Sequence, residues 1–271
     1  MYPIRRVVSL QPSATVTLRD LGALDRLVAC TKYCLDVCPE VSGRAIVADS
    51  WSASSREILA LRPDLVIASV PYQLEAVAEI LKAGCRFLGL APHSLEDVFA
   101  DIAHIGRIMG SEAEALNAIA KMKRELECIR AQANGLAKPQ VFCEEWGKPI
   151  ISSQQWVAEL VATAGGSFIG KPGSQIGVES VAAAEPDVLV AAWCGAGDRV
   201  PLEKIVAQRS WQKMKAVIDR RVYCIRDEYL NTPASTLMQG LRALAWAVHP
   251  EHFPQVEGIR RIGPTPEPPV T

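Results

Sequence analysis

The chain has 271 residues, 49% of them hydrophobic, which is enough for two modest lobes or one large α/β domain with a substantial core. Its 29 lysines and arginines against 30 acids leave a formal net charge of −1, which removes the electrostatic case for nucleic acid or an anionic membrane as partner. No apolar run reaches the roughly 18 residues that suggest a membrane span, so membrane insertion is not expected either.

The opening segment MYPIRRVVSLQPS passes from two arginines into a short apolar run without the apolar region of a signal peptide. Residues 6–10 read as a strand, 13–21 as a helix capped by Ser13, and 27–31 as a second strand. Then follow a helix over 54–61, a buried strand over 65–69, a helix over 72–83 stopped by Gly84, and a strand in CRFLGL. Between residues 94 and 134 apolar residues recur at helical spacing, which predicts two long helices divided at Gly110-Ser111, with Ser111 and Glu114 as a capping box. A strand over 140–144, a helix over 155–164, strands over 188–192 and 222–225, and a helix over 233–248 complete the pattern. Short strands alternating with helices indicate mostly parallel sheets.

REILALRPDLVIAS (56–69) has a counterpart in ESVAAAEPDVLVAA (179–192), each a short helix, then Pro-Asp, then an apolar strand. Proline stops the helix and aspartate supports the turn before a strand buried on both faces. The expected organisation is an α/β lobe over 1–93, connecting helices over 94–138, a second α/β lobe over 139–258 and a Pro-rich, disordered tail over 259–271. The long second helix would act as a rigid strut, and the cleft between lobes is the default ligand site.

RVVSLQPSATVTLRDLG, CTKYCLDVCPEV, ADSWSASSREILALRPDLVIA, ESVAAAEPDVLVAA and RDEYLNTPASTLMQGLRAL, in this order and spacing, resemble the solute-binding proteins of ABC importers whose two lobes are joined by one rigid helix. The vitamin B12-binding members are the nearest in kind. The resemblance implies two Rossmann-like lobes joined by a long helix, a periplasmic binding protein-like fold. It also implies non-catalytic binding of a corrinoid such as cobalamin, with haem and ferric chelates as lesser candidates, no required cofactor, and an ABC permease as partner of a monomeric protein. Two other readings stay open: a cytosolic corrinoid or chelate carrier without a transporter, and a cofactor-using enzyme with nitrogenase-like lobes.

Aromatic residues at strand ends provide the apolar walls a flat macrocycle needs. Tyr33, Trp51, Trp146, Trp193 and Tyr229 are the candidates, and the resemblance matches Tyr33, Trp51 and Tyr229 to aromatic positions of the B12-binding members. Cys34, beside Tyr33, is a candidate ligand contact without ligating a metal. Trp211 and Trp246 sit inside helical patterns and read as packing residues, with Trp156 intermediate. The resemblance also implies an acidic residue early in the helix before each Pro-Asp, docking on arginines of the permease. Glu179 fits that role in the second unit. Arg56 stands in its place in the first, with Glu57 beside it, and this departs from the family pattern.

Cys30, Cys34 and Cys38 recur every four residues, but the strand-like context of the first and the proline after the last oppose a metal face. The remaining cysteines, Cys85, Cys128, Cys143, Cys194 and Cys224, are scattered, and usage of this kind suits a reducing compartment. The chain as it stands therefore reads as cytoplasmic, with a periplasmic or cell-surface location as the alternative if a leader has been removed. The histidines at 93, 104, 249 and 252 read as solvated or satisfied, and the common catalytic motifs are missing, so no catalytic residue is assigned. Glu144-Glu145 is the best acid pair, yet neighbours on a strand point to opposite faces.

Overall fold

The computed structural model describes residues 4–263. Contacts divide them into two compact units: one runs from the start to Lys123 and includes Thr232–Thr236, the other comprises Arg124–Asn231 and Leu237 onward. The boundary falls inside the helix Glu112–Ala133, about 33 Å long at 1.5 Å per residue. The preceding helix, Leu95–Met109, belongs wholly to the first unit. It buries Val98, Phe99, Ile102 and Ile105 there and is thus core, where a connector had been expected.

The first unit holds five parallel strands, β1 (Val7–Ser9), β2 (Leu27–Cys30), β3 (Ala45–Ile46), β4 (Leu65–Ser69) and β5 (Arg86–Leu90), in the order β3-β2-β1-β4-β5. β1 is buried throughout and β4 nearly so, as near-continuous apolar runs require when helices cover both faces. Ser13 does not cap the first helix. That helix spans Pro12–Asp20 with proline in its first turn, where a missing N–H costs nothing, and Gln11 as an N-cap without a side-chain bond. The signals at 84 and 110 act as read: Gly84 and Gly110 both take positive φ where helices end.

The second unit is built on β6 (Gln140–Gly147), β7 (Ile150–Ser152), β8 (Ser167–Phe168), β9 (Val188–Ala191), β10 (Val222–Ile225) and β11 (Ile259–Arg261). Its path is β11-β10-β9-β6-β7, with β8 pairing the start of β6. β8, β9 and β10 run parallel to the centre of the sheet, while β7 and β11 are antiparallel. Residues 259–261 are therefore an edge strand and not tail, because Ile259 pairs with Ile225 and is buried. Of the expected tail, residues 264–271 lie outside the described residues.

The Pro-Asp repeat has the same local structure in both units. Arg62 and Glu185, each before the proline, take φ of 49° and 44°, which ends the short helix in a left-handed residue. The following aspartate then clasps the start of the neighbouring strand. Asp64 accepts the N–H groups of Arg5 (2.8 Å) and Arg6 (2.9 Å), and its own N–H donates to the Arg6 carbonyl at 2.8 Å. Asp187 accepts the Gln140 N–H at 2.8 Å and returns its own N–H to the Gln140 carbonyl at 2.8 Å.

Candidate functional site

Both sheets place a topological switch at their carboxyl edge, the position where open α/β sheets bind ligands. In the first unit it lies between β1 and β4. Gln11 bridges the strand ends there, donating to Ser50 Oγ at 2.7 Å and Ser69 O at 3.4 Å, and Ser50 Oγ donates to Leu10 O at 3.2 Å. These bonds hold the loop carrying Trp51, which is 49% exposed. Its ring lies 6.1 Å from that of Tyr33 at 36°, so the structure brings these two candidates together as one aromatic face. Lys32 sits 4.9 Å from the Tyr33 ring centre.

Cys34 does not reach that face. It is fully buried at the head of the helix Cys34–Val37, where it accepts hydrogen bonds from Thr15 Oγ1 (3.1 Å) and lies 3.3 Å from Thr31 Oγ1, so ligand contact by its thiol is corrected to a packing role. The Cys30 thiol, ahead of the two threonine hydroxyls, pulls the Cys34 thiol below its ordinary pKa despite burial, and the same bond pushes Cys30 up. Among the described residues no three His, Cys, Asp or Glu side chains converge as metal ligands would.

In the second unit the switch lies between β6 and β9, and the chain places Trp146 at the end of β6 and Trp193 just after β9. Both line one cavity of about 450 Å³, with Lys148, Cys194, Lys204, Ile205 and Gln208 among the other lining residues. Trp146 is 45% exposed and donates its indole N–H to Lys148 O at 3.0 Å. Trp193 is fixed from behind. Its indole N–H donates to Glu144 Oε1 at 2.8 Å, and its ring lies against Gly147, where a Cβ would collide with it. Arg209 holds Glu144 with two bonds, 2.6 and 2.8 Å, donates to Gly147 O at 3.1 Å, and lies 4.8 Å from the Trp211 ring centre. This ion pair is nearly dry, with side chains 10% and 3% exposed.

Its spacing in sequence gives no sign of it, because Glu144 and Arg209 are 65 residues apart. Glu145, the other member of the acid pair, accepts from Gln154 at 2.8 Å, and burial pushes its carboxyl above the ordinary value. The two glutamates thus have separate partners, as opposite strand faces dictate.

The loop after Trp193 is set by Asp227, which accepts the N–H groups of Gly195 (2.8 Å) and Gly197 (2.7 Å). Tyr229 is not among the cavity-lining residues. It packs on Gly258, with the Arg226 guanidinium 5.9 Å from its ring centre. Trp211 is buried, Trp246 meets Tyr223 edge to face at 5.5 Å, and Trp156 is buried with its N–H on Leu230 O at 2.8 Å, so all three pack the unit. Arg56 and Glu179 occupy the second position of equivalent short helices, Ser55–Ala60 and Val178–Ala183, and both are exposed.

The model of the periplasmic binding protein family designated Peripla_BP_2 matches residues 7–229. The chain belongs to that family. Its members bind ligands and are not enzymes, and they are periplasmic or lipoprotein substrate-binding proteins, which favours the extracytoplasmic alternative over the cytoplasmic expectation. The chain is 25% identical over 262 residues to YvrC of Bacillus subtilis, named an uncharacterized ABC transporter substrate-binding lipoprotein, covering 92% of this chain and 81% of that one. It is 25% identical over 267 residues to the vitamin B12-binding protein of Vibrio parahaemolyticus, covering 95% and 92% of the two chains. The crystal structure of a periplasmic haem-binding protein from Pseudomonas aeruginosa superposes with a TM-score of 0.84 at 21% identity, over 96% of this chain and 98% of that one. At that identity the likeness is one of fold. Among the described residues no helix is long and apolar enough to cross a membrane.

Proposed function

We propose that this chain is the ligand-capturing component of an ABC importer acting outside the cytoplasm, and that its ligand is a flat metallated macrocycle, a corrinoid such as cobalamin first. The observation that carries the reading is the pair of aromatic faces at the carboxyl edges of the two sheets, Tyr33 with Trp51 in one unit and Trp146 with Trp193 in the other. Large apolar rings beside a few polar groups match a macrocycle with a polar fringe. Relatives named for vitamin B12 support the corrinoid, and a haem-binding neighbour of the same fold makes porphyrin the comparison ligand. Tyr229 is proposed as a peripheral contact, and Glu179 and Arg56 as the positions facing the permease. The protein is expected to work as a monomer without a resident cofactor.

The test mixes purified protein with cobalamin, haemin and ferric chelates in turn, followed by gel filtration. A shifted visible spectrum that travels with the protein, together with quenched tryptophan fluorescence, is expected for cobalamin. Retention of haemin alone would replace corrinoid by porphyrin. Retention of neither macrocycle would overturn the reading.

A further inference from the structure

The cavity beside Trp146 and Trp193 carries a charge pattern that its aromatic walls do not explain. Lys148 follows β6 in the turn towards β7, and Lys204 lies on the helix Leu202–Gln208; both line the cavity, and Gln208 adds an amide one turn beyond Lys204. No carboxylate is among the lining residues. The acids nearby are each engaged: Glu144 by Arg209 and Trp193, Glu145 by Gln154, Asp227 by two glycine N–H groups. Lys148 is bonded through its backbone carbonyl alone, to the Trp146 indole, and neither lysine's ammonium group has an ion pair or hydrogen bond among the described residues.

A single surface lysine is ordinarily a solvated cation of no consequence. Two exposed lysines from different elements, both lining one hollow that is walled by indole rings and lined by no acid, add to one local positive field. We propose that this cavity receives an anionic group on the ligand's fringe, a carboxylate or a phosphate, and that Lys148 and Lys204 select for it. This rests on the macrocycle reading above and narrows it to ligands with an acidic periphery.

Three corrinoids, all as dicyano complexes so that the axial ligands match, separate the cases: cobinamide, whose amide fringe bears no anion; cobalamin, which adds a phosphodiester; and cobyrinic acid, whose ring carries carboxylates. Titration of the whole protein is expected to give at least about tenfold tighter binding of cobalamin or cobyrinic acid than of cobinamide, an advantage that shrinks with added salt. Whichever of the two gains identifies phosphate or carboxylate. In the Lys148→Gln/Lys204→Gln double variant the ratio of the anionic corrinoid's affinity to that of cobinamide should fall below about threefold. Equal binding of all three, or an advantage that survives both substitutions, overturns the proposal and leaves the macrocycle reading standing. Binding of none of the three removes the corrinoid reading and this proposal with it.

Discussion

The two units share a scaffold and differ in how they hold their aromatic residues. Each has the same left-handed residue before Pro-Asp and the same aspartate clasp on a neighbouring strand, so the frame behind the carboxyl edge is built alike. On that frame the first unit presents an exposed Trp51 from a loop tethered by hydrogen bonds through Gln11 and Ser50. The second fixes Trp193 through a buried carboxylate that is itself neutralised by Arg209. The difference separates affinity from stability. An aromatic on a loop is replaceable without cost to the fold, whereas one wired to a dry ion pair is part of it.

The strongest way to break this contrast is to remove Arg209. A buried ion pair adds little net stability compared with an apolar replacement of both partners, but deleting one partner strands the other charge. Arg209→Leu is expected to destabilise the second unit by about 3–5 kcal/mol in urea unfolding. It should also shift the tryptophan emission, because the indole of Trp193 loses its fixed partner. A loss below about 1 kcal/mol would mean that Glu144 is hydrated and the wall is not held as described.

Next in size is the effect on ligand binding. Trp51→Ala should weaken binding by about 2 kcal/mol, the cost typical of removing a central aromatic anchor, and leave the unfolding midpoint nearly unchanged. Trp193→Ala should weaken binding and lower stability together, since it also leaves Glu144 with one partner fewer. Calorimetric titration beside urea unfolding distinguishes the two. Equal stability losses for both variants would erase the contrast.

Much of this frame is legible in the sequence, and the reasons are local. Pro-Asp announces its turn, alternating apolar runs announce parallel strands, and Gly84 and Gly110 stop helices because they take positive φ cheaply. The family resemblance was carried by such local segments and proved correct. The aromatic candidates Trp146 and Trp193 fell together because both end strands that are neighbours in the sheet. What escaped was non-local or atypically short. The partnership of Arg209 with Glu144, and the presence of Lys148 and Lys204 on one cavity, depend on which strands become neighbours. β3 and β8 have two residues each, and β11 lay next to a proline-rich segment that masked it. Cys34 was misplaced because a helix begins there, turning the thiol inward.

The shared clasp permits a smaller, paired test. Asp64→Ala and Asp187→Ala each leave backbone N–H groups without their acceptor, and each is expected to cost about 1–2 kcal/mol. For Asp187 there is a pH signature. Burial works to raise its carboxyl, but the bond from Lys215 at 2.5 Å and the Gln140 N–H outweigh it, so the folded value lies below the ordinary one. A lowered folded value means that the unfolded chain binds more protons in acid. The contribution is therefore fully present above about pH 4 and is lost as pH falls through the lowered folded value. Asp187→Asn should flatten that acid limb in urea midpoints measured from pH 5 to 2. An unchanged limb would show that the clasp does not depend on charge.

The smallest expected effect concerns docking, where the repeat breaks its symmetry: Arg56 and Glu179 stand at the same position of equivalent helices with opposite charge, both exposed. A permease with arginines facing both units would attract Glu179 and repel Arg56. Exposed charges of this kind are worth under about 1 kcal/mol each and act mainly on association rate and salt dependence. The cognate permease of this chain is accordingly expected to offer an acidic or neutral residue to Arg56. In a binding assay with a B12-type permease complex in lipid nanodiscs, Arg56→Glu should speed association about threefold at low salt, and the gain should vanish as salt is raised past the screening range. Slower association on substitution would show that the partner's facing residue is acidic in the B12-type permease too, and that the charge reversal is matched on both sides.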